Sequence, residues 1–230
     1  MLRDGERYEE LLIGGYKIIQ NENLYRFSSD AIILSRFAPK ISGRVADFCA
    51  GSGIVGIHYF ALLDENKQVK EGTQIDEFEL QASLADMCER SIEYNGLGDH
   101  IKCYNTALQD IGSDFNNKYS LILCNPPYKK KDSGEQNTED HITICRHEVR
   151  ITLEEIVLIS SKKLKVGGRL CICQRTERLT DLLVALRNCG LEPSRMQFVT
   201  SGKSKMPYLV LVEAAKGVKP QLKVLPNYEN

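Results

Sequence analysis

The sequence predicts an α/β fold built on a mostly parallel β-sheet. Short apolar runs typical of buried strands alternate with amphipathic helical segments, and turns rich in Gly or Pro follow two of these runs. Strands that alternate with helices form βαβ units, in which the strands run parallel. With 230 residues, 42% of them hydrophobic, the chain suits one globular domain rather than a disordered segment.

The predicted elements divide the chain into a short N-terminal extension, residues 1–40, and a main domain, residues 41–230. The extension contains a hairpin about Asn21-Glu22-Asn23 and a helix that is capped by Ser28 or Ser29 and ended by Pro39. The main domain has predicted strands at 44–49, 73–81, 101–105, 119–125, 169–174, 196–201 and 207–215. Predicted helices lie at 54–63, 84–96, 151–168 and 179–190, the third with a capping box and a terminal glycine pair. No helix separates the last two strands, so they could pair antiparallel.

Charge and cysteine content restrict the class of protein. The net charge is −1, but from residue 161 onward there are 13 Lys or Arg against 5 Asp or Glu, so this basic segment could contact a polyanion or be a solvated surface. The eight cysteines include no CxxC pair, which argues against a zinc or redox site, and we expect no metal. No apolar run is long enough to span a bilayer and the charged N-terminus is unlike a signal peptide, so we expect a cytoplasmic protein, with a monomer favoured.

A GxGxxG pattern, Gly51 to Gly56, follows the first strand of the main domain. Glycines at such a turn allow tight backbone geometry and close approach of a nucleotide, and Ala50, Gly51 and Gly53 are the predicted contacts. A dinucleotide and S-adenosylmethionine both fit the pattern. Asp47 precedes the turn, and an acid there suits a cationic ligand better than an anionic pyrophosphate.

Acids at the ends of the next two strands are candidates for the nucleoside part of the ligand. Glu79 is the candidate for the ribose hydroxyls, with Asp76 and Glu77 as alternatives. Asp110 is the candidate for the adenine side, although a surface aspartate explains it nearly as well.

The sequence Asn125-Pro126-Pro127-Tyr128 follows the fourth strand of the main domain. The amide oxygen of Asn125 and the rigidly held carbonyl of Pro126 are two acceptors for the N–H groups of a planar amine. Tyr128 can stack on a flat base, and Pro127 is the neighbouring predicted substrate contact. A plain turn is the alternative for the isolated motif, but the glycine turn at the same sheet edge favours catalysis. The lysines that follow, residues 129–131, are not part of this chemistry.

The segments "DFCAGSG" and "CNPPY" resemble class I S-adenosylmethionine-dependent methyltransferases that modify planar nitrogens. The blocks "YRFSSDAIILSRFA", "CRHE", "QRTERLTDLL" and "KGVKPQLKVLP" are similar to the bacterial tRNA1(Val) (adenine-37)-N6-methyltransferases, so the resemblance covers nearly the whole chain. It implies a seven-stranded Rossmann-like sheet with an N-terminal extension, S-adenosylmethionine as cofactor and an adenosine 3′ of the anticodon as target. It also implies roles for Asp47, Gly51, Gly53 and Glu79 at the cofactor and for Asn125, Pro126 and Tyr128 in catalysis.

Other substrate contacts are predicted less directly. Arg146 and His147 belong to a loop that could close over the base, and Arg175 and Arg178 are candidates for phosphate contact, as are Lys203 and Lys205. Three rival functions remain at this point. They are a protein-glutamine methyltransferase with the same motif, a non-catalytic nucleotide- or RNA-binding module, and an NAD-dependent oxidoreductase.

Overall fold

A computed structural model describes residues 2–24, 27–41, 43–128, 151–202 and 204–230. The strands are β1 (Glu6–Glu10), β2 (Lys17–Asn21), β3 (Arg44–Phe48), β4 (Gln74–Glu79), β5 (Ile101–Asn105), β6 (Tyr119–Cys124), β7 (Leu164–Arg175), β8 (Leu191–Ser201), β9 (Ser204–Lys216), β10 (Lys223–Val224) and β11 (Tyr228–Glu229). The helices are α1 (Ser29–Phe37), α2 (Ile54–Glu65), α3 (Ala82–Tyr94), α4 (Leu153–Lys163) and α5 (Leu179–Asn188). None of these helices is long and apolar enough to cross a membrane.

One large sheet organises the described chain, in the order β10-β8-β9-β7-β6-β3-β4-β5, with β11 also paired to β8. Strand β9 pairs antiparallel with β7 and β8, whereas the other pairs in this sheet are parallel. The α/β class and the antiparallel last long pair are therefore confirmed. The short strands β10 and β11, which the sequence did not reveal, cover the outer edge of β8.

The hydrophobic core of the described residues has two large clusters, one on each face of the sheet, and a small third cluster between the hairpin and α3. Side chains alternate across the strands, so Leu121 and Leu123 of β6 belong to one large cluster and Ile122 to the other. The first large cluster packs against α1, α2 and α3, and the second against α4 and α5. Helices on both faces are the reason that the strands read as continuous apolar runs.

The end of α4 differs from the sequence prediction. The predicted capping box is present: Thr152 Oγ1 accepts from the Glu155 backbone N–H at 3.2 Å, and Glu155 Oε2 accepts from the Thr152 N–H at 2.8 Å. The helix nevertheless ends at Lys163, and the glycine pair lies in β7, where the register against β6 shifts. A Cβ on Gly168 would lie 2.8 Å from two backbone carbonyl oxygens, so this glycine serves a close strand contact rather than a helix stop.

The N-terminal hairpin is present but its turn is not the predicted one. Strand β2 pairs antiparallel with β1, and the connection runs through residues 11–16, where Gly14 and Gly15 have positive φ. The segment about Asn21-Glu22-Asn23 instead leads out of β2, and the Glu22 N–H donates to Gly5 O at 3.1 Å. The partner of β2 lies upstream because Tyr8 of β1 and Ile19 of β2 pack into one apolar cluster with α3.

The hairpin is fixed to α3 by polar contacts. The Asn95 amide accepts from the Lys17 N–H at 3.0 Å and donates to the Lys17 carbonyl at 2.6 Å, so it pairs with the edge of β2 as a strand would. The half-buried Arg90 guanidinium pairs with Glu6 at 2.6 Å and with Asp86 at 2.8 Å.

Candidate active site

Two turns leave the same edge of the sheet side by side. The Gly-rich turn, residues 49–53, follows β3, and the NPPY turn, residues 125–128, follows β6. Strands β3 and β6 are neighbours, with Phe48 opposite Cys124. The chain runs from β3 to β4 and β5 on one side and then returns to β6 on the other, so the two turns flank a topological switch point. Ligands of open α/β sheets bind at such a point.

The Gly-rich turn is wound in left-handed conformations. Its φ angles are 61° at Cys49, 58° at Gly51 and 84° at Gly53. A Cβ at Gly53 would lie 2.6 Å from Cys88 Sγ, so both the backbone angle and the space require glycine there. Cys49 adopts such a φ without being glycine, which is uncommon and marks local strain at this turn.

Glu79 and Ala50 tie the turn to the end of β4. Glu79 Oε2 accepts from the Gly51 N–H and Oε1 from the Gln81 N–H, both at 2.8 Å. The Ala50 N–H donates to the Phe78 carbonyl at 3.1 Å. Burial raises the pKa of Glu79, and these backbone hydrogen bonds oppose the shift. The predicted ribose acid therefore contacts the Gly-rich turn directly.

The alternative acids on β4 are engaged elsewhere. Asp76 Oδ2 pairs with Arg44 Nε at 2.5 Å and accepts from the Tyr119 hydroxyl at 2.8 Å. Glu77 lies on the other face of the strand, against α2 and Asp47. Of the three acids, Glu79 is the one bonded to the Gly-rich turn.

Asp47 and Glu77 form a buried carboxyl pair beneath the turn. Both are fully buried, and Asp47 Oδ2 accepts from the Gly56 N–H at 3.2 Å. Burial raises the pKa of Asp47 to about 7, and burial together with the Asp47 charge holds that of Glu77 well above its usual range. Both shifts favour protonated carboxyl groups near neutral pH, and among the described residues Asp47 Oδ1 and both Glu77 oxygens have no hydrogen-bond partner. A Cβ on Gly56 would overlap the Glu77 carboxyl, so the third glycine of the pattern makes room for this pair.

Asp110 ends a short 3₁₀ turn, Leu108–Asp110, that follows β5. Its side chain is exposed, and its N–H donates to the Ala107 carbonyl at 3.0 Å. The nearby Thr106 N–H donates to Glu79 O at 3.0 Å, which joins this segment to the end of β4. The adenine-side acid predicted from the sequence thus lies on an exposed turn next to the strand end that carries Glu79.

The side-chain amide of Asn125 in the NPPY turn contacts Tyr128 and Cys173. Asn125 Oδ1 accepts a hydrogen bond from the Tyr128 hydroxyl and lies 3.0 Å from Cys173 Sγ. The Tyr128 hydroxyl also lies 3.2 Å from Asp30 Oδ2 of α1. Pro126 is buried, and Pro127 and Tyr128 are half-buried. The structure therefore brings the predicted catalytic residues together and occupies the Asn125 oxygen with a neighbouring hydroxyl.

The two predicted arginines differ in their surroundings. The Arg175 guanidinium lies over the Tyr128 ring at 5.1 Å and over the Tyr208 ring at 5.6 Å, each measured to the centroid. Arg178 is buried; its Nε pairs with Asp181 at 3.1 Å and its Nη1 contacts the Tyr128 carbonyl at 3.4 Å. Arg175 therefore lies on the ring face of Tyr128, whereas Arg178 contacts the backbone of the NPPY turn.

Several site residues were not found from the sequence. Cys173 lies beside Asn125 because β7 pairs parallel with β6, and this neighbour could have been found once the two strands were assumed to pair. Asp30 and Gln20 carry no such signal, because their contacts join distant parts of the chain. The Gln20 amide of β2 donates to Ser52 of the Gly-rich turn and accepts from the Phe27 N–H at 3.2 Å.

Some predicted contacts lie outside the described residues. They are Arg146, His147 and Lys203. Lys205 is described and exposed at the start of β9.

The chain is similar in sequence to known methyltransferases. The sequence model of the "Methyltransferase small domain" family matches residues 28–186. A Flavobacterium johnsoniae protein named tRNA1(Val) (adenine(37)-N6)-methyltransferase is 22% identical over 68% of this chain and 64% of its own length. A protein of the same name from Parabacteroides distasonis is 24% identical over 82% of this chain and 76% of its own length. The resemblance noted in the sequence is confirmed by these relatives.

Solved structures show the same fold at low sequence identity. A predicted O-methyltransferase from Agrobacterium tumefaciens superposes with a TM-score of 0.64 at 17% identity and covers 87% of this chain and 88% of its own. TYW2 from Pyrococcus horikoshii, solved with MeSAdo, has a TM-score of 0.61 at 13% identity and covers 94% and 72%. The predicted Rossmann-like methyltransferase sheet is therefore confirmed. Because the family model spans more than half of the chain, the protein belongs to the methyltransferase small domain family.

Proposed function

We propose that the protein transfers the methyl group of S-adenosylmethionine to the exocyclic N6 of an adenine in tRNA. The observation that carries the proposal is the meeting of the Gly-rich turn and the NPPY turn at the switch point of the sheet. The names of the bacterial relatives supply the specific target, the adenine at position 37 of tRNA1(Val). The cytoplasm is the proposed setting.

The NPPY turn suits an amine nitrogen of a flat ring. The lone pair of N6 is delocalised into the base, so the amine is a poor nucleophile until its N–H groups meet acceptors that favour a pyramidal nitrogen. Asn125 Oδ1 and the Pro126 carbonyl are two such acceptors, and the proline rings hold the carbonyl rigidly. Methyl transfer then depends on positioning, because the proton can leave after the new bond has formed.

The Gly-rich turn suits the cofactor. S-adenosylmethionine supplies an electrophilic methyl group. Glu79, at the end of β4, is the proposed partner of the ribose hydroxyls, and Ala50, Gly51 and Gly53 form the backbone wall. Asp47 does not reach the surface; it holds the Gly56 N–H and so fixes the start of α2 below the cofactor. Asp110 stays the proposed residue on the adenine side.

Tyr128 and Arg175 suit a flat substrate. The Arg175 guanidinium occupies the ring face on which a base could stack. A base that stacks on Tyr128 takes the place of this planar cation and gains about 1–3 kcal/mol from the stacking. Arg175 is then free to meet a phosphate, in keeping with the excess of basic residues after position 160. Its proposed role is therefore at the substrate, with Pro127 beside it.

Nucleoside mass spectrometry after reaction with labelled S-adenosylmethionine tests the proposal. Unmodified tRNA1(Val) should yield labelled N6-methyladenosine. Asn125→Ala should abolish turnover while the cofactor still binds in calorimetry, since the amide belongs to the substrate side. Asn188→Ala, at the exposed end of α5, is the matched control and should keep full activity.

Other results would exclude the proposed chemistry or favour a different function. Undiminished methylation by Asn125→Ala would exclude the proposed chemistry. Labelling of a glutamine in a release factor without labelling of RNA would favour a protein-glutamine methyltransferase of the same motif. Binding of cofactor and tRNA without any product would favour a non-catalytic module.

A further inference from the structure

Among the residues that the structure describes, the Asn125 oxygen has two side-chain partners, and they come from different elements. Tyr128 belongs to the same turn, whereas Cys173 lies on β7, with its Sγ 3.0 Å from Asn125 Oδ1. An amide oxygen has two lone pairs in the amide plane. One partner must leave if this oxygen is to accept the amine of a substrate.

Cys173 is the partner suited to stay. It is fully buried, and burial raises the pKa of its thiol far above the ordinary value. The group is therefore a protonated thiol, and its S–H donates to the oxygen of the Asn125 amide. Its other acceptors are farther away, the Tyr128 hydroxyl at 3.4 Å and the Cys124 carbonyl at 3.8 Å. The thiol thus fixes which way the Asn125 amide is turned.

Tyr128 is the partner suited to leave, because a second acceptor stands beside it. Asp30 Oδ2 lies 3.2 Å from the Tyr128 hydroxyl, and Asp30 Oδ1 lies 3.4 Å from the Tyr208 hydroxyl. Asp30 is 5% exposed, so its carboxylate is held at this place by packing. A hydroxyl has one hydrogen. When that hydrogen points to Asp30, the two oxygens of Tyr128 and Asn125 repel each other and Asn125 Oδ1 becomes open.

We propose that Cys173 and Asp30 are positioning residues of the NPPY turn: Cys173 orients the Asn125 amide, and Asp30 takes up the Tyr128 hydroxyl when a substrate amine replaces it at Asn125 Oδ1. The inference rests on the proposed methyl transfer, and it concerns side chains that do not themselves touch the reacting atoms. A hydroxyl in the place of the amine keeps the acceptor satisfied before the substrate arrives.

Steady-state kinetics on labelled S-adenosylmethionine and tRNA1(Val) test this with paired substitutions. Cys173→Ala removes the donor and should lower kcat about fivefold, the factor that one net hydrogen bond provides, with little change in either KM. Cys173→Ser keeps a donor and should restore kcat to within about twofold. Asp30→Ala should lower kcat similarly, and Asp30→Asn, which keeps an acceptor oxygen, should recover part of the loss. Cys171→Ala is the matched control, as this buried thiol lies on the same face of β7 in the same core cluster.

The outcomes separate positioning from packing and from a failure of the proposed function. Unchanged kcat in Cys173→Ala, or an equal loss in Cys171→Ala, overturns the inference. If the wild-type protein methylates no tRNA, the proposed function fails, and crystal structures of the variants decide the inference instead. A turned Asn125 amide in Cys173→Ala and a displaced Tyr128 in Asp30→Ala support it, and unmoved side chains overturn it.

Discussion

His58 should make the packing of α1 on α2 sensitive to acid. The side chain is fully buried on α2, and its Nδ1 lies 2.7 Å from Ser35 Oγ of α1. Ser35 already donates its hydrogen to the Ile32 carbonyl at 2.8 Å, so Nδ1 carries the imidazole hydrogen and donates to Ser35. Nε2 is then the atom that would be protonated, and it has no hydrogen-bond partner among the described residues.

The size of the effect follows from the pKa. Burial, with smaller contributions from Arg36 and Lys40, lowers the pKa of His58 to about 4. An unfolded histidine titrates near 6.5. Between about pH 4 and about pH 6.5, His58 is therefore protonated in the unfolded state but neutral in the folded state. The stability is complete above about pH 6.5 and falls as the pH drops towards 4. The loss between about pH 7.5 and about pH 4.5 is about 2.5 kcal/mol of unfolding free energy.

Urea unfolding of the wild type and His58→Asn measures this loss. The asparagine amide keeps a donor towards Ser35 but cannot titrate. The variant should be less stable near neutral pH, because it leaves a void, and the difference between the two proteins should shrink by about 2.5 kcal/mol on acidification to about pH 4.5. If the difference in unfolding free energy stays constant over this pH range, the titration of His58 does not affect the stability of the fold. The comparison cancels the titration of groups common to both proteins.

Two further predictions concern the two ligands. Gly53→Ala should abolish cofactor binding in calorimetry, because its Cβ would lie 2.6 Å from Cys88 Sγ, whereas Gly72→Ala, at φ 79° with open space around it, should keep binding and lose only about 1 kcal/mol of stability. Equal cofactor binding by both variants would contradict the role of Gly53 in the cofactor site. Arg175→Ala should weaken tRNA binding and reduce the slope of log affinity against log salt by about 1, whereas Arg187→Ala on the exposed end of α5 should leave it unchanged. An unaltered salt slope in Arg175→Ala would show that this arginine makes no contact with a phosphate.

The centre of the sheet could be predicted because strands such as β3 and β6 are short apolar runs that are buried on both faces. The end of α4 could not be predicted, because the sequence after Lys163 has a helical pattern up to the glycine pair. There the backbone of Leu164 pairs with Tyr119 of β6, and this tertiary pairing outweighs local helical preference. The hairpin turn was misplaced for a related reason, since the partner of β2 is selected by packing against α3 rather than by the turn residues that follow it.

The site could be predicted only as far as its motifs extend. Both turns follow strands, so their meeting at one edge was foreseeable from the order of elements. The side-chain contacts that hold the two turns in place could not be predicted. The N-terminal extension contributes Gln20 to the Gly-rich turn and Asp30 to the NPPY turn, across 32 and 98 residues of sequence. No local pattern announces a contact over such a separation, although both side chains are buried and polar and therefore need partners.

The choice between the two nucleotide classes left open by the GxGxxG pattern can be argued from the carboxyl pair. Asp47 and Glu77 lie at the start of α2, where a dinucleotide would place its pyrophosphate. Both carboxyls have raised pKa values, so the negative charge that remains there is partial and belongs mainly to Asp47, where it opposes the positive end of the helix dipole. In a buried environment this charge repels phosphates and attracts a ligand that carries an ammonium and a sulfonium. The third glycine, which usually serves close packing of helix on strand, here admits the Glu77 carboxyl and thereby sets the charge of the site in favour of S-adenosylmethionine.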